Sequence, residues 1–495
     1  MRVTLISPRL AVQKGDFLGS GVPYWPVELA TLAAKLREDG EDVAILDLFG
    51  SAPQRLSDAG DHFLQGAPIR EHTRSESLLG ADAFVVYAIS YMSHREIQEI
   101  LRTLKETRPQ AAAAVLENSQ AVTGYSLQRL IEPLTAAGAD ALICGEPYFN
   151  WNDIKAFLLN PQPHAAPPNV LTASVSRAPQ RQIEKGARYP VPAWDLFPLE
   201  NYWSLPYAHG PKTAKFLPIL TSRGCPYPCD FCVVPETNNR RWRGNAPSDV
   251  VDEIMTLRDR FGVHDFQVED LNPSVSHERW EEICRLLIAR KADIRFYFVS
   301  GTKAETVHVD KIPLYAAAGC RYISISPESG SRRIMKVIGK PFDYDHALAL
   351  VAACRRHAIR TQACFLVGHP SETDVDHAAT RQYLRSLVRA GLDEVAVFIV
   401  SSFAGSALYA QNRIAMDDPA ALPSFSPAGR EGHEVLERRR GELIRSFFWE
   451  RLKRGPDLWL QGLRAIFGTP QTKMENLPRR VAYVLWIMLR ARFAG

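Results

Sequence analysis

Three cysteines, Cys225, Cys229 and Cys232, fall in the segment Arg223-Gly224-Cys225-Pro226-Tyr227-Pro228-Cys229-Asp230-Phe231-Cys232, directly after a predicted strand. Two prolines and a glycine stiffen the loop, so three thiolates can converge on one centre. Soft ligands of this kind suit an iron–sulfur cluster or zinc. A closed structural zinc site takes four ligands, and no fourth Cys or His lies at close spacing. Three ligands leave one iron of a four-iron cluster open to a further molecule. Zinc, or three buried unliganded cysteines, are the alternatives. The remaining cysteines, Cys144, Cys284, Cys320, Cys354 and Cys364, are scattered, most of them in or beside predicted helices and strands, and are expected in the core.

Four more segments carry polar groups at the ends of predicted strands: Val268-Glu269-Asp270-Leu271-Asn272, Ser324-Ile325-Ser326-Pro327-Glu328-Ser329-Gly330, Phe365-Leu366-Val367-Gly368-His369-Pro370-Ser371-Glu372 and Phe403-Ala404-Gly405-Ser406-Ala407-Leu408-Tyr409. Singly, each has a plain reading. Glu269 and Asp270 could cap a helix, Glu328 could be a solvated carboxylate, and Gly368 with Pro370 could make a turn. The elements that must position them are strands expected at 216–221, 265–268, 295–299, 322–326, 361–367 and 394–400. Helical patterns at 248–261, 277–290, 310–318, 343–357 and 374–390 separate the strands. Six such repeats point to a partial parallel barrel, whose sites form at the carboxyl ends of its strands.

The order CxxxCxxC, with Phe231 before the last cysteine, resembles the signature of the radical S-adenosylmethionine superfamily. The resemblance covers about residues 190–410. It implies a [4Fe–4S] cluster on Cys225, Cys229 and Cys232. The open iron would chelate S-adenosylmethionine, whose reductive cleavage gives a 5′-deoxyadenosyl radical. It further implies that Phe231, Glu269, Asp270, Ser326, Glu328 and Gly368 contact that cofactor. The 269–270 segment departs from the commoner Gly-Gly-Glu form, so which acid reaches the ligand stays open. An external electron donor of the flavodoxin or ferredoxin type is implied as well.

Ahead of the barrel, strands expected at 3–6, 43–46, 83–89, 111–116 and 141–144 alternate with helices at 27–38 and 94–107, as in a doubly wound, Rossmann-like sheet. A domain of this kind before such a barrel resembles the cobalamin-binding subfamily. Tyr189-Pro190-Val191-Pro192-Ala193-Trp194-Asp195-Leu196-Phe197-Pro198-Leu199 is similar to the joint found there. Cys144-Gly145-Glu146-Pro147 is similar to the turn that closes the domain. Ser90, in Ala88-Ile89-Ser90-Tyr91-Met92-Ser93, looks like the serine that faces the corrinoid. The usual Asp-x-His-x-x-Gly motif is absent, and the glycine-rich loop expected after the fourth strand reads Val115-Leu116-Glu117-Asn118-Ser119-Gln120-Ala121. The resemblance implies cobalamin-dependent methylation of an unactivated carbon. Residues 23–25 and 90–92 are candidates to line the gap between cobalt and cluster. A cyclase, oxidase or rearrangement enzyme without net methylation, and a non-catalytic accessory protein, are the alternatives. A methylthiotransferase is disfavoured, because no cysteine precedes Cys144.

The expected organisation is an α/β chain: a cobalamin-binding-type domain over 1–157, a Pro-rich linker over 158–205, a radical S-adenosylmethionine barrel over 206–410 and a helical region over 411–495. With 495 residues, 46% hydrophobic, 23% charged and a net charge of +4, the chain reads as globular, with little pull on nucleic acid. No leader peptide or run of ~18 apolar residues is seen, so a reducing, cytoplasmic setting is expected. The C-terminal helices mix Arg438-Arg439-Arg440 and Arg479-Arg480 with Phe447, Trp449 and Trp459. They read as a cap on the barrel, or as a peripheral membrane contact or cover for a lipid-like substrate. The substrate class, small-molecule or lipid-like, stays open.

Overall fold

In the computed structural model, residues 1–495 are described except 15–20, 123, 163–165, 178–186, 412–431, 456, 469 and 494–495. The short apolar runs of the first third pair side by side. β1 (Arg2–Ser7), β3 (Asp42–Asp47), β6 (Ala83–Ala88), β7 (Ala112–Glu117) and β8 (Ala141–Ile143) form a parallel sheet in the order β3-β1-β6-β7-β8. β6 and β7 are buried along their whole length, as a sheet covered on both faces requires. Phe84, Val86 and Ala88 pack with Ile97, Ile100, Leu101 and Leu104 of α2 (His94–Thr107). Ala83, Val85 and Tyr87 pack with α1 (Val27–Glu38) and α3 (Trp151–Leu159) on the other face.

Two features were not legible in the sequence. β2 (Leu10–Gln13), β4 (Leu56–Asp58) and β5 (His62–Gln65) make a small antiparallel sheet in the order β2-β5-β4. β9 (Val170–Leu171), inside the Pro-rich stretch, joins the main sheet antiparallel to β8.

The second half holds β10 (Leu217–Ile219), β13 (Asp265–Val268), β14 (Arg295–Thr302), β15 (Cys320–Glu328), β16 (Arg360–Val367) and β17 (Glu394–Ile399), all parallel and adjacent in chain order. β11 (Ser222–Arg223) and β12 (Arg243–Gly244) form a short antiparallel pair beside them. The outer layer is α4 (Pro247–Phe261), α5 (His277–Ala289), α6 (Ile312–Ala317), α7 (Arg332–Ile338), α8 (Tyr344–Arg356) and α9 (Asp374–Ala390). Their apolar stripes, such as Val250, Val251, Ile254 and Leu257 of α4, form one core with the strands. The barrel interior is polar instead. Ser324 Oγ donates to Gln362 Oε1 at 3.0 Å.

The six strands do not close on themselves. α10 (His433–Lys453), α11 (Asp457–Phe467) and α12 (Leu477–Phe493) cover the open side. The Lys473 amide donates to Glu394 Oε1 of β17 at 2.6 Å, while the Arg480 guanidinium lies 4.5 Å over the Tyr207 ring ahead of β10. Part of the expected C-terminal region, 412–431, lies outside the described residues.

The expected linker needs correcting. Trp194 is fully buried, with Trp25 5.5 Å from it, and Tyr202 stacks 4.3 Å from Trp25. Tyr202 Oη donates to Asp47 Oδ2 at 2.8 Å. Trp25, Trp194, Phe197 and Tyr202 belong to the barrel's own core cluster. Prolines removed regular hydrogen bonding here but not packing. Aromatic burial at the joint holds the two halves together.

Candidate functional site

The cysteine loop is held from four sides. Gly224 has φ +76°, and a Cβ there would lie 2.0 Å from the Arg241 carbonyl oxygen, so only glycine fits. The Gly224 amide donates to Gln120 Oε1 at 2.9 Å. The Asp230 amide donates to Ile338 O, at the end of α7, at 3.0 Å. Asp230 Oδ2 sits 2.9 Å from His369 Nε2. A loop fixed this way holds the backbone of all three cysteines in place.

Cys225, Cys229 and Cys232 line one cavity of about 700 Å3 at the carboxyl ends of the barrel strands, and none is in a disulfide. Burial pushes all three thiols up, Cys229 to about 12. A bound cation would offset that cost and favour the thiolate form. Among the described residues, the one group of three Cys, His, Asp or Glu ligand atoms within 4.8 Å of one another lies elsewhere. The three sulfurs are thus too far apart to share one zinc ion, whose Zn–S bonds are about 2.3 Å. A multi-iron cluster, which takes one sulfur per iron, fits this donor set.

Around the sulfurs the cavity carries a polar rim: Glu269, Ser300, Lys303, Ser326, Glu328 and Lys340. Glu328, at the end of β15, has φ +55°, a strained conformation for a residue with a side chain. Lys340 Nζ donates to Glu328 Oε1 at 2.6 Å, to Ser326 O at 2.7 Å and to Ser326 Oγ at 2.6 Å. Burial pushes the Glu328 carboxyl up, and Lys340 only partly offsets this. Burial lowers the Lys340 ammonium, but Glu328 and the nearby thiols more than reverse that. His209 Nδ1 lies 2.6 Å from Glu269 Oε2, with the Tyr24 ring 4.9 Å from His209. Lys340, Lys303 and His209 belong to none of the sequence segments that point to a ligand. Lys340 follows the end of α7 by chain fold alone, and no motif marks it.

The structure divides the expected contacts. Phe231, Glu269, Ser326 and Glu328 line the cavity. Asp270, Gly368 and Ser90 do not. Asp270 is fully buried, accepting from the Thr221 amide and Thr221 Oγ1 at 2.7 Å each and from Ser222 Oγ at 2.5 Å. It ties β13 to the strand leading into the cysteine loop, which leaves Glu269 as the acid of that pair in the cavity. The Gly368 amide donates to Glu372 Oε2 at 2.6 Å, closing a turn that delivers His369 to Asp230. Ser90 caps the turn at 91–93 through the Met92 amide. Of the gap candidates, Tyr24 and Trp25 line the cavity, whereas Tyr91 packs in the N-terminal core. Cys364, expected in the core, lines the cavity, because its side chain sits on the inner face of β16.

The N-terminal sheet reaches the same cavity. Tyr87, Asn118, Gln120, Ala121 and Val122 line it from the carboxyl side of β6 and β7. No histidine of the first 200 residues does so among the described residues. Behind this wall a buried network joins the halves. Arg223 Nε donates to Glu28 Oε1 at 3.0 Å and to Tyr148 Oη at 3.2 Å. Its guanidinium lies 3.7 Å over the Tyr189 ring. Arg243 Nη2 donates to Glu146 Oε1 at 3.0 Å and Asn238 Oδ1 at 2.9 Å.

Residues 219–384 match the model of the radical SAM superfamily. The chain carries a radical S-adenosylmethionine domain. That family implies a [4Fe–4S] cluster and S-adenosylmethionine. The chain is 22% identical over 447 residues to cytidylyl-2-hydroxyethylphosphonate methyltransferase of Streptomyces wedmorensis, covering 82% of this chain and 80% of that one. It is 25% identical to anaerobic magnesium-protoporphyrin IX monomethyl ester cyclase of Rubrivivax gelatinosus over 42% of this chain, but spans 36% of the cyclase. Its fold is similar to the solved structure of the radical S-adenosylmethionine methyltransferase TsrM from Kitasatospora setae, with cobalamin and a [4Fe–4S] cluster bound. The TM-score is 0.61 at 17% identity, covering 82% of this chain and 73% of that one.

Proposed function

We propose that this enzyme methylates an unactivated carbon of a small or lipid-like molecule in a cobalamin-dependent reaction. The observation that carries the reading is one cavity lined both by the three cysteines and by the strand ends of the N-terminal sheet. The relatives add weight: the methyltransferase of Streptomyces wedmorensis matches across both halves. The cluster supplies the electron that cleaves S-adenosylmethionine, and cobalamin supplies a methyl carrier.

The chain's own residues have separable tasks in this reading. Cys225, Cys229 and Cys232 hold the cluster. Phe231, Glu269, Ser326 and Glu328 orient S-adenosylmethionine against it. Lys340 holds Glu328 in place as a positioning residue. Tyr24, Tyr87, Asn118, Gln120, Ala121 and Val122 are the residues that would face cobalamin. The buried walls exclude water, which would otherwise quench a carbon radical. A flavodoxin- or ferredoxin-type protein serves as electron donor. Trp459, Ile466 and Phe467 of α11 are strongly exposed, which supports contact with an apolar phase. No described helix is long and apolar enough to cross a membrane.

A second reading, radical cyclisation or oxidation without net methylation, is favoured by the matches to the ester cyclases. Anaerobic reconstitution with and without cobalamin, followed by labelled methyl from S-adenosylmethionine, separates the two. Methyl in the product with cobalamin present supports methylation. 5′-Deoxyadenosine formation with no methyl transfer to any acceptor supports the second reading. Absence of 5′-deoxyadenosine from cluster-loaded, reduced protein would overturn both.

A further inference from the structure

A second group of ligating side chains lies on the outer rim of the barrel, apart from the cysteines. His277, at the start of α5, and Glu281, one turn later, share a helix face. His308, in the loop after β14, comes against them. One ligand atom from each lies within 4.8 Å of the others. The two imidazole rings are 3.8 Å apart between centroids. His308 Nδ1 is 3.4 Å from Glu281 Oε1, while Glu281 Oε2 accepts from Arg285 Nη2 at 3.1 Å. His277 Nδ1 is buried without a well-formed hydrogen bond, and lies 3.3 Å from Glu278 Oε2.

This arrangement is poor as packing and good as a ligand set. Two imidazoles tilted against each other at this distance gain little, and a buried ring nitrogen that makes no well-formed hydrogen bond costs free energy. Two imidazoles and a carboxylate are also a common zinc-binding set that keeps one position open. Both histidine side chains are about a third exposed, at 35% and 36%, so an ion has an entry path and room for a water ligand. Glu281 is buried, with 8% of its side chain exposed, and is held by its helix.

We propose that His277, Glu281 and His308 bind a divalent transition-metal ion, zinc foremost, that pins the start of α5 to the loop after β14. The pin bears on the cavity through a short path. Thr306 Oγ1, two residues before His308, bonds Ser274 Oγ at 2.8 Å and Asn272 Oδ1 at 3.2 Å. Asn272 and Lys303, at the two ends of this path, line the cavity. The Lys303 ammonium lies 5.3 Å over the Tyr227 ring of the cysteine loop. The ion would fix the rim that carries Lys303, without touching substrate.

The test uses full-length protein already loaded with its cluster, titrated anaerobically with Co2+ alone. The expected result is one further equivalent of cobalt with weak visible d–d absorption and no new thiolate-to-cobalt charge-transfer band. His277→Ala and His308→Ala should each abolish that equivalent, and Glu281→Gln should weaken it at least tenfold. The cluster spectrum should stay unchanged in all three, which also reports that they fold. Arg285→Ala, which releases the second Glu281 oxygen, should tighten cobalt binding. Uptake that is unchanged in either histidine variant, that carries thiolate charge transfer, or that is absent from the wild type overturns the proposal.

Discussion

Two parallel sheets meet at one cavity with their carboxyl ends towards it, and they have been furnished differently. The barrel end carries three thiols, a strained Glu328 and a buried ammonium, with cavity space beside them. At the N-terminal end, Asn118 donates to Ile89 O and Asn238 to Ser119 O, while Gln120 accepts from Gly224. At the barrel end the polar groups stand beside open cavity space; at the N-terminal end Gln120 and Ser119 are paired with Gly224 and Asn238 of the barrel, and Asn118 within its own half. The same strand-end rule brings side chains of both sheets to one cavity, more of them paired across the joint on the N-terminal side. Arg223, two residues before Cys225 and fully buried, stands where the two meet.

The largest test of that contrast removes a ligand. Cys229→Ala should abolish the iron–sulfur absorption and 5′-deoxyadenosine formation, whereas Cys354→Ala, in the barrel core, should leave both. Next come the two buried cations. Arg223→Met strands Glu28, and Lys340→Met strands Glu328; each should lower stability by about 3–5 kcal/mol in urea unfolding, because a buried charge loses its partner. The comparison sharpens in the second readout. Lys340→Met should raise the Kd for S-adenosylmethionine beyond what its stability loss explains, while Arg223→Met should act on cluster retention. Equal effects on S-adenosylmethionine binding would erase the distinction. Gln120→Ala should cost about 1–3 kcal/mol by leaving the Gly224 amide unpaired, with the cluster still assembled.

The smallest effect is one of pH. Burial lifts the Glu117 carboxyl to about 7, although the Leu127 and Gly145 amides donate to it. The folded state keeps a proton that the unfolded chain gives up at about 4.3. The contribution of Glu117 is therefore full below about pH 4.3 and is lost as pH rises through about 7. Wild-type stability should fall over that window relative to Glu117→Gln, as thermal unfolding at several pH values would read.

The cysteine loop and the barrel were legible because their signals are local. CxxxCxxC is a short spacing, and the barrel helices predicted from apolar periodicity at 248–261, 277–290 and 374–390 form as 247–261, 277–289 and 374–390. Adjacent parallel strands in chain order follow from βα alternation and leave little freedom. Asp270 and Glu269 show the limit. The two neighbours point to opposite sides of the strand end, and the sequence names both without saying which faces in.

The sequence by itself determined the cysteine trio on one short loop, the two parallel sheets and the segments that end their strands, since each depends on residues close in the chain. Only the tertiary structure decided that Lys340 pairs with Glu328, that His209 meets Glu269, that Arg223 is clamped by the N-terminal half, and that the Pro-rich joint is core. Those contacts join residues far apart along the chain, where periodicity carries no information and burial selects the partner.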